Sequence, residues 1–503
     1  MRYIAFFGVF ALLVGAAAAC AQKPAPLPTV VVESTSTPAR PTPTPAALYP
    51  GREGWERASF ARAGLDPGAM ETFRSALRGP AYANVHSVVI VKRGRLVFKE
   101  YLGDYSPDRR QELASVTKSV TSILVGMAME QGHLSGLAQG GLDQPIAALL
   151  PEYGALVQAD PAKKGLLLRH VMSMSAGLEW DEETVPYGTP GNDCYETEVS
   201  RDSAGYVLAK PVVEAPGAVF EYNGGLSNLL SAVVQERTGL HMAAFADRFL
   251  SEPLGIVDYQ WEDLADGRAD AAGGLWLRPR DMAKIGQLML DGGQWQGAQI
   301  VSREWVAEST RLHIGTGQGP DYGLQWWRGT LYAEGQQVET FFASGYGGQA
   351  IYVVPSLELV AVFTQRVYDN PLGTLRGPAM LTGYILPAAL QPLASAEPPD
   401  PGDIDLDRLA GEFRSRSGER TLTILREGER LYLVHPDVGK LALTPQSASS
   451  VHATFMDVLH LQMVFADQNP AHELTVYMDF RTERYERSSG RVNEIDSAKE
   501  RPR

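Results

Sequence analysis

Residues 114–126, ASVTKSVTSILVG, place a serine and a lysine one helical turn apart at the start of an apolar run. Apolar residues recur in this run at the spacing of one helix face, at Val116, Val120, Ile123, Leu124 and Met127. Gly132 marks the end of the run. The pattern therefore predicts a buried helix that carries Ser115 and Lys118 on one face, with their Cβ atoms about 5–6 Å apart.

The pair Ser115 and Lys118 can be interpreted as catalytic or as purely structural. A serine at a helix start lies near free N–H groups and the positive end of the helix dipole, which stabilise a developing anion. A buried lysine is costly, and burial favours its neutral form, which can accept the serine proton. We therefore predict a serine nucleophile with Lys118 as general base. The alternative is an N-cap serine followed by an exposed lysine, and S-x-x-K alone is a weak motif.

The first part of the chain predicts export. Residues 1–19 have the apolar pattern of a signal peptide, and Cys20 follows three alanines as in a bacterial lipoprotein. Residues 20–52 are rich in Pro and Thr and predict an extended tether. We expect a cell-envelope lipoprotein held at the membrane through Cys20. The alternative is a secreted or periplasmic soluble protein.

Composition limits the partners. The formal net charge of −14 opposes nucleic-acid binding. Two cysteines, Cys20 and Cys194, cannot form a disulfide framework, and Cys194 is expected to be a buried, unreactive thiol. The sequence has no H-E-x-x-H motif and no cysteine pairs at zinc spacing, so we expect neither a metal nor another cofactor.

Patterns of short strands divide the rest of the chain. Residues 87–101 and 347–365 each read as a β-hairpin, with turns at Arg93-Gly94 and Pro355-Ser356. Strands at both ends with helices between predict an α+β domain over residues 53–392, built on one antiparallel sheet. Residues 393–402 read as a linker, 403–490 as a small all-β domain and 491–503 as a flexible tail.

Five segments in order carry a family resemblance. They are residues 114–126, 166–180, 215–239, 273–297 and 341–355. Together they resemble the serine β-lactamase and penicillin-recognising superfamily, especially its class C-like branch of esterases and 6-aminohexanoate-oligomer hydrolases. The resemblance covers about residues 55–390. It implies the β-lactamase-like α+β fold and a serine hydrolase that acts on a small-molecule ester or amide.

The resemblance also implies a role for particular residues. The family's Tyr-x-Asn element matches Tyr222-Asn223-Gly224, where the tyrosine is kept and would relay a proton. Whether Lys118 or Tyr222 is the primary base stays open. The backbone N–H groups of Ser115 and Tyr346 would form the oxyanion hole. The residues expected to contact substrate are Asn223, Ser344, Gly345, Gly347, Trp180 and Asp181.

Two departures from the family pattern bear on the substrate. Glycine replaces the asparagine of Tyr-x-Asn, and Ala343 stands where a basic residue normally recognises a carboxylate. We therefore predict ester or amide cleavage through an acyl-enzyme on Ser115. A D-Ala-D-Ala peptidase or a β-lactamase is the alternative within this chemistry, and a catalytically silent binding protein is the alternative outside it.

Three further features have competing interpretations. The acidic segment 180–198 is either a solvated loop or a rim at the mouth of the site that favours substrates with an amine. Trp326 and Trp327 either line a cleft or pack in the core. His170, which lies between apolar residues, is expected to be structural rather than catalytic.

Overall fold

The structure is a computed structural model that describes residues 54–317, 319–368, 376–390 and most of 405–488, where the described ranges are 405–416, 421–428, 430–435, 439–447, 450–455, 459–465, 473–478 and 481–488. The predicted signal peptide, Cys20 and its tether, the linker and the tail lie outside these ranges. Within them, no helix combines the length and the apolar character needed to span a bilayer.

Residues 54–390, called the hydrolase-like region after the resemblance described above, contain most of the helices, and these lie mainly between its two strand-rich ends. Their bounds are α1 Phe60–Ala63, α2 Pro67–Ala76, α3 Val116–Glu130, α4 Ile146–Leu149, α5 Gly154–Ala159, α6 Leu168–Met172, α7 Asp193–Val199, α8 Ser203–Ala209, α9 Gly224–Thr238, α10 Met242–Ala246, α11 Pro279–Leu290, α12 Arg303–Thr310, α13 Arg376–Met380, α14 Leu386–Ala389 and α15 Leu406–Leu409.

The strands fall into an N-terminal pair, a central group and a C-terminal group. Their bounds are β1 Val85–Lys92, β2 Arg95–Tyr101, β3 Gln111–Glu112, β4 Gln260–Trp261, β5 Leu275–Leu277, β6 Gln294–Trp295, β7 Ala298–Gln299, β8 Asp321–Tyr322, β9 Trp327–Ala333, β10 Gln336–Gly345, β11 Gln349–Val354, β12 Leu359–Gln365, β13 Gly411–Ser415, β14 Thr421–Glu427, β15 Arg430–His435, β16 Gly439–Ser447, β17 Ser450–Phe455, β18 Leu459–Phe465, β19 Glu473–Met478 and β20 Arg481–Arg487.

One antiparallel sheet joins the two ends of the hydrolase-like region. Its strand order is β2-β1-β12-β11-β10-β9-β8, so the N-terminal hairpin pairs with the C-terminal one through β1 and β12. Both predicted hairpins are confirmed. Arg93 and Gly94 have φ values of 51° and 69°, the left-handed conformation of a two-residue hairpin turn. The predicted α+β class, with a sheet built from both ends, is also confirmed.

Each face of this sheet is covered, because alternate residues of a strand point to opposite sides. On β1, Val89 and Val91 join a core with α3, α9 and α11. Val88 and Ile90 join a second core with α2 and α14. Every residue of α3 except Glu130 is buried, so the helix that carries Lys118 lies inside the first core.

A closed antiparallel barrel of β13 to β20 follows the hydrolase-like region. The first strand, β13, pairs with both β14 and the last strand, β20, which closes the barrel. Its core is separate and contains Phe413, Ile424, Phe465 and Tyr485. The predicted small all-β domain is thus present, whereas its closure into a barrel was not predicted from the sequence.

Candidate active site

The N-terminus of α3 brings the predicted nucleophile and base together. Ser115 is the N-cap of α3, and Lys118 is only 3% exposed. The Lys118 Nζ donates a hydrogen bond to the Ser115 Oγ over 3.0 Å. Ala114, directly before the serine, has a φ of 45°, which is unusual for a residue other than glycine and marks a tightly held turn.

A second hydrogen bond holds the Lys118 ammonium in place. Its Nζ donates to the Ala272 carbonyl over 2.9 Å. The backbone around Ala272 is held in turn, because its N–H donates to Asp270 Oδ1 at 2.9 Å and to Asn228 Oδ1, on α9, at 3.1 Å. Lys118 therefore has a defined position between the nucleophile and a rigid carbonyl.

Tyr222 completes a three-residue group. The Lys118 Nζ lies 5.2 Å from the centroid of the Tyr222 ring, and the tyrosine hydroxyl interacts with the side chains of Ser115 and Lys118. Trp327 stacks on the same ring with centroids 5.8 Å apart. Trp326 is fully buried, so one tryptophan of the pair belongs to the core and the other to the site.

The charges around Lys118 contradict one expectation. Burial lowers the pKa of Lys118, but its interactions with Tyr222, Glu182, Cys194 and Asp270 outweigh burial, and the pKa lies above that of an ordinary lysine. The prediction that burial makes Lys118 neutral is therefore wrong, because sequence reasoning included the burial and not the nearby acidic groups. Burial also raises the pKa of Tyr222, which Lys118 partly offsets.

The end of β10 packs directly against the nucleophile. A Cβ added to Gly345 would lie 2.3 Å from the Leu113 carbonyl oxygen and 3.1 Å from the Ser115 nitrogen, so only glycine allows this approach. Ser344 is half-buried and pairs with Ala350. Ala343 is fully buried, and no basic side chain occupies this position.

Asn223 has a different position from the one expected. It is the N-cap of α9, its Oδ1 accepts from the Leu226 N–H over 3.0 Å, and it is 2% exposed. Its side chain is thus committed to the start of the helix and is not presented to a substrate. Sequence reasoning missed this because Asn is both a common helix cap and a common ligand group.

The acidic segment is folded over the site. Trp180 is 8% exposed and packs in the core, while its Nε1 donates to the carboxylate of Glu182. Asp181 is exposed, and its Oδ1 accepts from the N–H groups of Glu183 and Thr184. Glu182 is 2% exposed. Neither a wholly solvated loop nor a uniformly exposed acidic rim describes the segment.

Three tyrosines lie together where this segment meets the turn after β10. The ring centroid of Tyr346 is 5.2 Å from that of Tyr187 and 5.1 Å from that of Tyr368. A Cβ on Gly347 would lie 2.6 Å from the Tyr368 ring, so Gly347 accommodates the aromatic group. Tyr346 and Gly347 therefore lie at the rim, directly after the strand that reaches Ser115.

Two predictions of structural roles are confirmed. Cys194 is buried, its Sγ lies 3.6 Å from Glu198 Oε1, and burial raises the pKa of the thiol. His170 accepts a hydrogen bond at Nδ1 from the Leu167 N–H over 3.3 Å, and burial lowers its pKa. Neither residue has the environment of a nucleophile or a general base.

Several residues of the site were not found from the sequence. Glu182, Tyr187, Asn228, Asp270 and Ala272 hold or face the three central side chains. In the sequence Glu182 is one of several charges in the acidic segment 180–198, and Ala272 acts through a backbone carbonyl. A backbone group leaves no signal in side-chain chemistry, so only the fold reveals it.

The comparisons with known proteins identify the family of this chain. The sequence model of the family described as Beta-lactamase matches residues 78–383. The chain therefore belongs to the Beta-lactamase family, and it is a serine hydrolase of that family. The match begins before β1 and ends within the last helices of the hydrolase-like region, so it includes all of the residues of the candidate active site.

Individual relatives are distant. The 6-aminohexanoate-dimer hydrolase of Paenarthrobacter ureafaciens is 26% identical over 54% of this chain and 70% of its own length. Esterase EstB of Burkholderia gladioli is 28% identical over 34% of this chain and 44% of its own length. The structure of an octameric penicillin-binding protein homologue from Pyrococcus abyssi has a TM-score of 0.51 at 18% identity, over 84% of this chain and all of its own, which is a likeness of fold.

Proposed function

We propose that this protein hydrolyses an ester or amide bond through an acyl-enzyme on Ser115. The observation that carries the proposal is the contact of Ser115, Lys118 and Tyr222 at the start of α3. A hydroxyl hydrogen-bonded to a titratable group, on a helix N-terminus, is the arrangement of an activated nucleophile. The names of the relatives, a dimer hydrolase and an esterase, support the same reaction type.

The proposed reaction has two halves. The Ser115 oxygen attacks the substrate carbonyl carbon, and its proton passes to the Lys118–Tyr222 pair, which must first have lost one proton. The negative carbonyl oxygen accepts hydrogen bonds from the N–H groups of Ser115 and Tyr346. The leaving alcohol or amine takes the proton back as its bond to the carbonyl breaks. Water then attacks the acyl-enzyme by the same route and releases the acid and free Ser115.

The buried Ala343 supports a preference for simple esters over β-lactams. A penicillin or a peptidoglycan stem carries a carboxylate, and no basic side chain stands at this position of β10 to bind it. Turnover of a short-chain nitrophenyl ester should therefore be clear, and turnover of a chromogenic cephalosporin should be slight. A cephalosporin kcat/KM equal to that for the ester would favour the β-lactamase alternative.

The exposed carboxylates of Glu183 and Glu221, called the rim carboxylates, favour binding of a substrate with a positively charged end. Burial and mutual repulsion with Glu182 and Asp181 raise the pKa of Glu183, and similar causes raise that of Glu221. A cation would relieve this repulsion. Between two nitrophenyl esters of equal chain length, the one ending in an amine should have the lower KM at pH 8. Equal KM values would show that the rim carboxylates do not recognise the amine.

Active-site labelling separates the enzyme from a silent binding protein. A fluorophosphonate should add to Ser115 in the native chain and fail to add to Ser115→Ala, as measured by peptide mass spectrometry. A native chain that resists labelling and hydrolyses neither ester nor amide would leave the binding protein as the better account.

We also propose that Cys20 carries a lipid that holds the enzyme at the cell envelope. The proposal rests on the apolar segment 1–19, the alanines before Cys20 and the Pro/Thr-rich residues after it. Cys20→Ala should move the protein to the soluble fraction, and mass spectrometry of the mature N-terminus should show diacylglyceryl in the native chain only. An unmodified cysteine there would contradict the proposal.

A further inference from the structure

Glu182 is a buried carboxylate that lies between two exposed ones. It is 2% exposed, whereas Asp181 and Glu183 on either side are exposed. One of its oxygens accepts from Trp180 Nε1 over 2.7 Å and the Gly224 N–H over 2.6 Å, and the other accepts from the Tyr187 hydroxyl over 2.9 Å. Carboxylates are almost never fully buried without such partners. The three hydrogen bonds therefore hold Glu182 in a defined position.

These partners connect Glu182 to the helix that follows Tyr222. Gly224 is the first residue of α9, two residues after Tyr222, and its N–H lies at the positive end of a 15-residue helix. A Cβ on Gly224 would lie 3.1 Å from the Glu182 Oε2, so glycine permits the carboxylate to approach the backbone. Glu182 thereby fixes the backbone beside Tyr222.

We infer that Glu182 is a positioning residue of this hydrolase, whose buried carboxylate orients the start of α9 and retains a proton on the Lys118–Tyr222 pair in the resting enzyme. The inference rests on the proposed function, since it assigns the pair to proton transfer. The acidic segment then controls the charge of the catalytic group. The carboxylate itself touches neither Ser115 nor the substrate in this scheme.

Other titratable groups face the same space. Around Lys118 they are Tyr222, Glu182, Cys194, Glu198 and Asp270. Around Glu182 they are Lys118, Glu183, Tyr187, Cys194, Glu198, Glu221, Tyr222 and Tyr322. Glu182 raises the pKa of both Lys118 and Tyr222. Its effect therefore has the same sign whichever of the two is the base.

The test compares pH profiles of Glu182→Gln and the native chain. Glutamine keeps the size of the side chain and can still accept from Gly224 and Trp180, but it removes the charge. Because the active form of the pair is the deprotonated one, loss of the carboxylate should move the rising limb of kcat/KM to lower pH. The maximum should fall by no more than about tenfold. Rates of fluorophosphonate labelling at Ser115 should shift in the same direction.

Two control variants isolate the charge. Glu183→Gln removes the neighbouring exposed carboxylate and, with an uncharged nitrophenyl ester as the substrate, should leave the limb at its native position. Tyr187→Phe removes one hydrogen bond to Glu182 but keeps the negative charge of Glu182. This variant should therefore lower kcat/KM without moving the limb. A limb that stays in place in Glu182→Gln, or that moves to higher pH, would overturn the inference. So would an equal displacement in Glu183→Gln.

A measurement without catalysis distinguishes this inference from the proposed function. In protein labelled with ¹³C at lysine Cε, the Lys118 signal, assigned by its absence in Lys118→Met, should begin to titrate at lower pH in Glu182→Gln than in the native chain. If no ester or amide is cleaved, the proposed function fails while this titration still decides the electrostatic role of Glu182. Identical titration in both proteins would end the inference even for an active enzyme.

Discussion

Two buried lysines of this protein have nearly the same local geometry and opposite titration behaviour. Lys118 on α3 and Lys284 on α11 are 3% and 5% exposed, and each donates a 2.9 Å hydrogen bond to a backbone carbonyl. Each also contacts the residue three positions earlier, which is Ser115 for Lys118 and Asp281 for Lys284. The pKa of Lys118 is raised, whereas that of Lys284 is lowered.

The difference lies in the more distant charges. Burial lowers the pKa of Lys284 and outweighs the attraction of Asp281, with Arg278 and Arg280 lowering it further. Lys118 has acidic groups around it instead. Arg278 also pairs with Asp281 at 2.6 Å, so Asp281 is shared between two cations. A buried lysine is thus characterised by its whole surroundings, and the hydroxyl partner makes Lys118 the catalytic candidate.

The largest expected effect separates the two lysines by activity. Ser115→Ala, Lys118→Met and the double variant should each lose roughly a thousandfold or more in kcat/KM, because residues that act as one unit are not additive. Lys284→Met should keep the activity of its folded fraction. Steady-state kinetics with circular dichroism as the folding control measures this. If Lys118→Met is folded and keeps most of its activity, Lys118 is no more catalytic than Lys284.

Tyr222→Phe should cause a smaller loss, on the order of a hundredfold, because general acid–base groups contribute about that much and the rest of the site remains. Phenylalanine keeps the stacking on Trp327, so the fold should not change. The loss should be in kcat rather than in KM. A loss equal to that of Lys118→Met would identify the tyrosine as an equal member of the catalytic unit.

Stability should rank the two lysines in the same order as activity. The surroundings of Lys118 outweigh its burial and raise its pKa, so the charged lysine stabilises the fold, and Lys118→Met should lower the free energy of unfolding by about 1.5–3 kcal/mol. At Lys284 burial outweighs the attraction of Asp281 and lowers the pKa, and Asp281 keeps its pair with Arg278, so Lys284→Met should cost less. Urea unfolding followed by circular dichroism compares the two variants. A larger loss for Lys284→Met would contradict this ranking.

The pH dependence of the native enzyme should be the mildest effect, about tenfold per pH unit. Because Lys118 and Tyr222 both have raised pKa values, the pair is protonated at neutral pH and must lose a proton to act. The kcat/KM should therefore rise with pH through the neutral and into the alkaline range, for as long as the protein stays folded. A plateau already reached at pH 6 would show that the charged neighbours do not control the base.

The sequence predicted the parts of this protein that depend on local pattern. The hairpin turns at Arg93-Gly94 and near Pro355, and the burial of Lys118, follow from turn chemistry and helical periodicity. The charge state of Lys118 could not be predicted from local pattern, because Glu182 and Asp270 are distant from it in sequence. The helix-capping role of Asn223 was missed because helix start and ligand group share one residue type.

The closed barrel has a consequence for shortening the chain. Since β20 pairs with both β19 and β13, deleting it would create two unpaired edges at once, in the manner that promotes aggregation between molecules. Among the described residues, the cores on the two faces of the large sheet extend to Ala388, and the barrel core begins at Leu406. A protease or a stop codon that removes the whole barrel should therefore leave a better-behaved product than one that trims only its last strand.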